Sequence, residues 1–163
     1  MSSSELSPAE ARTHAQDPTG GGSTLRSFDY EVNVYIPAPP ARVWAAFTLD
    51  IDHWWTYRLR DRTRCKIEPF VGGRWTQEWD SGGALFGHFT VYDPPHLLVV
   101  TGPLAMSKPA TNVLEFIFEP ADTGTKITIH HQAFGDLDPD TEEIYANGWK
   151  ELIGASLFEW VTR

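Results

Sequence analysis

The stretch "EEIYANGWKELIGASLFEW", Glu142 to Trp160, limits what this chain can fold into more than any other. Ile144, Tyr145, Trp149, Leu152, Ile153, Ser156, Leu157 and Trp160 recur three or four residues apart, so a helix here carries a broad apolar face that must be covered. The acids of the preceding "DLDPDTEE" suit the positive end of that helix's dipole. Its cover has to come from the rest of the chain, and the rest is mostly strands.

In "FDYEVNVYI", Phe28, Tyr30, Val32, Val34 and Ile36 alternate with Asp29, Glu31, Asn33 and Tyr35, the period of a half-buried strand. "PAPPARVWAAFT" predicts a short helix whose first turn tolerates proline, and "DIDHWWT" offers an aspartate cap to a second. Beyond these, Gly and Pro punctuate six further strands, predicted near residues 64–70, 73–80, 84–92, 96–104, 112–120 and 124–133. The turns "DSGG" and "ADTGT" suit hairpins, because Gly and Asp accept positive φ. Alternation turns Trp75, Gln77 and Trp79 inward, with Leu114, Phe116 and Phe118 on the next apolar face, and Ile127, Ile129 and His131 on another. One face of the sheet is therefore apolar, and it is the one surface large enough to meet the terminal helix. The expected fold is α+β, a curved antiparallel sheet wrapped around a long C-terminal helix.

A chain of 163 residues supports one core of this kind, expected over residues 26–163. Residues 1–25, rich in Ser, Ala, Gly, Pro and Thr, are expected to be a flexible tail. Thirteen Lys and Arg against 22 Asp and Glu leave a formal charge of −9, which opposes nucleic-acid binding. No segment has the ~18 consecutive apolar residues of a membrane span, and no secretory leader pattern opens the sequence. With Cys65 as the only cysteine, a reducing cytoplasm is the expected compartment.

Gly148 sits inside the terminal helix, where it costs about 1 kcal/mol relative to alanine. Two compatible readings offset that cost. Either the helix approaches a bulky strand residue such as Trp75 or Phe116, or the missing side chain leaves room for a ligand between helix and sheet. Among the seven tryptophans, Trp55, Trp75, Trp79 and Trp149 either fill the core or wall a cavity. His131 faces inward: a hydrogen-bonded core histidine is the ordinary reading, and a polar anchor or general base the functional one, with Gln77 and Tyr145 as further polar groups.

Other motifs have plainer accounts. Arg58, Arg60, Arg62 and Arg64 recur at period two, either as a solvated edge protecting a strand or as an anion attractor at a pocket mouth. "DLDPDTEE" lacks the glycine and the closing glutamate of a calcium loop. No histidine spacing suits a metal site, Ser156 in "GASLF" does not form a nucleophile elbow, and neither "VGG" nor "SGG" makes a phosphate loop. No catalytic residue, metal ligand or cofactor is assigned from the sequence.

"DIDHWWT", "FVGGRWTQEW", "GHFTVYDPPHLLVVTG" and "YANGWKEL" resemble, in order, the motifs of proteins similar to the activator of the heat-shock-protein-90 ATPase, within the START-like, birch-pollen-allergen-like (SRPBCC) superfamily. The resemblance spans roughly residues 28–160 and implies the helix-grip fold, order β-α-α-β6-α, in agreement with the elements above. It implies a pocket rather than a reaction, because the superfamily gathers lipid and hormone carriers, cyclases, hydrolases and chaperone regulators. The eukaryotic co-chaperone also carries an N-terminal domain for chaperone binding that a 25-residue tail cannot supply.

The expected function is binding of a small hydrophobic or amphipathic molecule in a cavity between sheet and C-terminal helix. Trp55, Trp75, Gln77, Trp79, Phe89, Phe116, His131, Tyr145 and Trp149 are its candidate contacts. Two alternatives stand beside it: a cyclase, hydrolase or dehydratase using His131 with Glu78, Asp80 or Tyr145, and a regulator of a chaperone ATPase acting through protein contact.

Overall fold

The computed structural model describes residues 24–163, so most of the expected tail lies outside the described residues. Strand β1 (Leu25–Ile36) is followed by helices α1 (Pro40–Leu49) and α2 (Ile51–Trp54). Six strands come next: β2 (Arg64–Ile67), β3 (Arg74–Trp79), β4 (Gly82–Asp93), β5 (Leu97–Gly102), β6 (Ala110–Ala121) and β7 (Gly124–Asp136). The terminal helix is α-helical over Thr141–Glu151 (α3), π-helical over Leu152–Leu157 and α-helical again over Phe158–Val161 (α4).

All seven strands form one antiparallel sheet in the order β1-β7-β6-β5-β4-β3-β2. Period-two alternation becomes rows of side chains across it. Val32 pairs with Ile129, Ile129 with Phe116 and Phe116 with Leu98, and all four are buried. One step along the strands, Tyr30, His131, Leu114, Val100 and Phe89 form the neighbouring row. Between β6 and β7 the turn places Asp122 at φ 51°, the left-handed conformation that aspartate tolerates.

Two bulges bend β4. Trp75 faces Gly87 while Thr76 faces Leu85, which leaves Phe86 as the extra residue, and Thr90 is extra opposite Val99 and Val100. Gly87 and Gly102 meet beside the first bulge. A Cβ at Gly102 would lie 2.4 Å from the Gly87 Cα, so only glycine allows this approach of β5 to β4.

The helices cover the concave face. Pro40 opens α1, where its missing N–H costs nothing, and α1 buries Val43, Trp44 and Phe47. Trp44 packs edge-on against Phe118, with ring centroids 5.2 Å apart. Asp50 stands at the start of α2 but makes no side-chain cap; its carboxylate instead accepts the Trp160 indole N–H at 3.2 Å. With the His53 ring stacked on Trp160, this pins the end of the terminal helix to the α1–α2 joint. The π-helical segment shifts the helix's phase by one residue, so that Trp149, Leu152, Ile153, Leu157 and Val161 all reach the interior. Ile144, which periodicity also placed on the buried face, is 59% exposed.

Among the described residues no helix is long and apolar enough to cross a membrane.

Candidate ligand cavity

The terminal helix does not fill the concavity it crosses. A cavity of about 360 Å³ remains near its N-terminal half. Ile144, Tyr145, Gly148 and Trp149 of α3 form one wall, continued by Leu152 at the start of the π-helical segment. Opposite stand Gln77 of β3 and Phe86 of β4, the bulge residue. Trp55, Tyr57 and Leu59, from the segment after α2, close one end, and Leu104 with Ala105, between β5 and β6, closes another. Tyr57, Leu59 and Ile144 are exposed apolar side chains gathered at the rim, which marks the mouth.

Gly148 answers to space rather than to close packing. A Cβ there would meet only the Tyr57 ring, at an ordinary 3.6 Å, and neither Trp75 nor Phe116 comes near it. A Gly148→Ala substitution should therefore stabilise the protein by about 0.5–1 kcal/mol, since helix propensity improves without a clash. Urea denaturation measures it; a loss of stability would show that the helix needs glycine at this point.

The segment closing the end is fastened at both sides. Gln77 is fully buried, and its side chain donates from Nε2 to the Tyr57 carbonyl at 2.7 Å and accepts the Leu59 N–H on Oε1 at 2.9 Å. The Trp55 indole donates to the same Tyr57 carbonyl at 2.8 Å. Across the mouth, the Tyr57 hydroxyl donates to Glu151 Oε2 at 2.5 Å. Gln77→Leu should cost about 1–3 kcal/mol, because the Leu59 amide loses its partner and the Tyr57 carbonyl loses one of its two donors. Faster hydrogen exchange at Leu59 would accompany it; unchanged protection there would mean that another group holds the segment.

The opposite end is held in a backbone conformation rarely taken by residues with side chains. Leu104 and Ala105 have φ of 48° and 58°, and the cost is offset by hydrogen bonds donated by the Leu104 N–H to the Phe86 carbonyl and by the Ala105 N–H to the Leu85 carbonyl. These bonds fix the turn against β4 and set the width of the cavity.

Of the nine candidate contacts, Trp55, Gln77, Tyr145 and Trp149 stand on the cavity wall. The other five do not. Trp75 is buried beneath Phe86, whose ring stacks on it at 5.5 Å and takes the wall position. Phe116 is covered by Trp149 and Phe47, and Phe89 lies buried against Tyr92. Trp79 sits at the end of β3 under the Arg60 guanidinium, 4.6 Å from its ring centroid. That contact, and the Arg58 ion pair with Asp52, occupy two of the four alternating arginines, while Arg64 begins the edge strand β2.

His131 is an interior residue. Its Nε2 meets Asn112 Oδ1 at 2.8 Å, and the Asn112 amide nitrogen faces the Gly102 carbonyl, so the Nε2 side of the ring carries the proton. Nδ1 then accepts from the Tyr30 hydroxyl at 2.8 Å and from the Trp149 indole at 3.3 Å. Both nitrogens are committed, with Tyr145 and Trp149 in edge-to-face contact with the ring. Burial, aided by the neighbouring His130, lowers its pKa to about 3. In this neutral imidazole the Nδ1 lone pair is already engaged by two donors.

A second recess, about 340 Å³, adjoins the first and shares Ala105, Ile144 and Tyr145 with it. Its remaining wall is largely polar and includes Lys108, Asp136, Asp138 and Asp140. Tyr57, Leu59, Phe86, Leu104 and Ala105 were not among the sequence candidates. The one hint in the sequence was Tyr57 and Leu59 alternating with arginines in "YRLRDR", apolar residues in a segment otherwise built for solvent.

Comparison with known proteins adds the following. The family model described as "Activator of Hsp90 ATPase homolog 1-like protein" matches residues 37–161. No curated protein matches the chain. Among solved structures, a protein from Chromobacterium violaceum superposes with a TM-score of 0.63 at 21% identity, covering 83% of this chain and 97% of its own. An uncharacterized protein from Rhizobium leguminosarum gives 0.66 at 17% identity, covering 86% and 97%. One from Rhizobium loti gives 0.65 at 20%, covering 83% and 98%. At these identities the structures share the fold, with its seven-stranded curved sheet and long terminal helix.

Proposed function

We propose, for a chain that belongs to the Activator of Hsp90 ATPase homolog 1-like family, that it binds a small hydrophobic or amphipathic molecule in the cavity beside α3. One observation carries this reading: an unfilled space of about 360 Å³, walled almost wholly by aromatic and aliphatic side chains, at the point where the helix carries glycine. Gross burial of about 250 Å² of apolar ligand surface contributes roughly 6 kcal/mol at 25 cal/mol per Å². Association costs subtract from that figure, so affinity no tighter than tens of micromolar is expected.

The reading assigns Trp55, Trp149, Phe86 and Leu152 to apolar contact, Gln77 to fastening the Tyr57–Leu59 segment, and His131 to fixing the Trp149 indole. It uses no chemistry beyond binding. Titration with the uncharged fluorophore Nile red tests it: saturable one-site binding, with quenching of tryptophan fluorescence, is the expected result. Emission that rises without saturation would remove the reading. Mass spectrometry of small molecules released from protein purified from its native source would then name the occupant.

A further inference from the structure

This inference rests on the cavity being a ligand site, as proposed above, and concerns the chemistry of the occupant. Among the described residues no charged side chain lines the cavity. Its walls are rich in rings: Trp55, Tyr57, Phe86, Tyr145 and Trp149. Nearly all the polar atoms on those walls are spent. The Trp55 indole donates to Tyr57, the Trp149 indole to His131, the Tyr57 hydroxyl to Glu151, and Gln77 bonds the Tyr57–Leu59 segment with both ends of its amide.

Tyr145 is the exception. Its hydroxyl has no hydrogen-bond partner among the described residues, and burial pushes its pKa up, so it stays a neutral donor and acceptor. It stands where the cavity meets the second recess. A ligand of either charge would lose hydration in the cavity, and the acid at its mouth, Glu151, is exposed and already accepts the Tyr57 hydroxyl. Asp136, Asp138 and Asp140 line the second recess and not this cavity; Asp138 is paired with Lys108 at 2.8 Å, and Asp138 and Asp140 are exposed, so water and salt screen their fields.

We infer that the occupant is an uncharged aromatic molecule with one hydrogen-bonding oxygen, its rings among the cavity's aromatic walls and its oxygen paired with the Tyr145 hydroxyl at the junction. Tyr145 is thus the residue that selects a hydroxyaryl or aryl-carbonyl ligand over a bare hydrocarbon. Rings suit these walls better than a flexible alkyl chain, because edge-to-face contacts add to area burial and no chain entropy is lost.

Five probes of similar size separate the possibilities: β-naphthol, naphthalene, β-naphthoate, naphthylmethylammonium and decanol, each titrated into wild type and Tyr145→Phe by tryptophan fluorescence and calorimetry. In wild type, naphthol should bind more tightly than decanol and at least about a hundredfold more tightly than either charged probe. Tyr145→Phe should weaken naphthol about fivefold to tenfold and leave naphthalene unchanged, the signature of one lost hydrogen bond. If naphthoate, the ammonium or decanol matches naphthol, or if the variant weakens naphthol and naphthalene alike, the inference fails while the cavity reading stands. If none of the five saturates, the cavity reading itself fails. The wild-type ranking decides the question of charge even without the variant.

Discussion

Lowering the pH from 6.5 toward 4 should weaken this protein steeply, with one of the protons responsible traceable to His131. Free histidine titrates near 6.5, whereas His131 in the folded state titrates near 3, mainly because burial removes water from its charged form. Above pH 6.5 both folded and unfolded chains hold it neutral, and it makes no difference to stability. Between these values the unfolded chain binds a proton that the folded chain refuses, so folding loses about 1.4 kcal/mol for each pH unit of descent. The full loss approaches about 5 kcal/mol near pH 3, comparable to the whole stability of many domains. Carboxylates held low by ion pairs, such as Asp52 beside Arg58, add their own loss at lower pH. The His131→Gln variant separates the two: it should cost about 1–3 kcal/mol at neutral pH, yet its stability should fall with pH by one proton less between pH 6 and 4.5, on the order of 1.4 kcal/mol per unit. Urea titrations across that range measure the slope. Equal slopes in the two proteins, or a folded-state histidine signal at position 131 titrating near its free value, would mean that the ring reaches water.

Gly148→Phe should abolish Nile red binding, weakening it at least about a hundredfold, or roughly 2.7 kcal/mol. The substituted ring grows from the cavity wall into the space itself, between the helix and Tyr57. Folding should suffer little, because the helix loses a glycine and the ring fills a void lined with apolar groups, so stability is expected within about 1 kcal/mol of wild type. Loss of affinity with retained stability is the combination that distinguishes a blocked cavity from a damaged fold. The Gly148→Ala variant serves as the small-side-chain control and should bind within about threefold of wild type, given one added methyl in so large a space. Undiminished binding in Gly148→Phe would place the ligand elsewhere.

The histidine and the glycine illustrate how far single positions could be interpreted from the sequence. Alternation along β7 turned His131 inward correctly, and the interior reading of a lone histidine agrees with its three bonds to Asn112, Tyr30 and Trp149. Those partners come from β6, β1 and α3, so no local pattern identifies them. For Gly148 the local cost was evident, but the compensation was not: close packing was the simpler reading, and the structure shows space. Likewise, on the concave face of the sheet Gln77 reaches the cavity wall while Trp75, Phe89, Phe116 and His131 lie behind it. Period-two and period-three-to-four patterns report which way a side chain faces, and say nothing of how deep it lies once layers are stacked.

Two periodicities along the chain determined the fold: seven strands with one apolar face each, and one helix whose apolar stripe had no other surface large enough to bury it. The rest was decided in three dimensions. An extra residue at Phe86 pushed one ring forward to shield Trp75, a π-helical segment rephased the end of the helix, and two left-handed residues at Leu104 and Ala105 set the far wall. A void is the small difference between the volume enclosed by several elements and the volume their side chains fill, so it depends on every one of them together and is written in none of them alone.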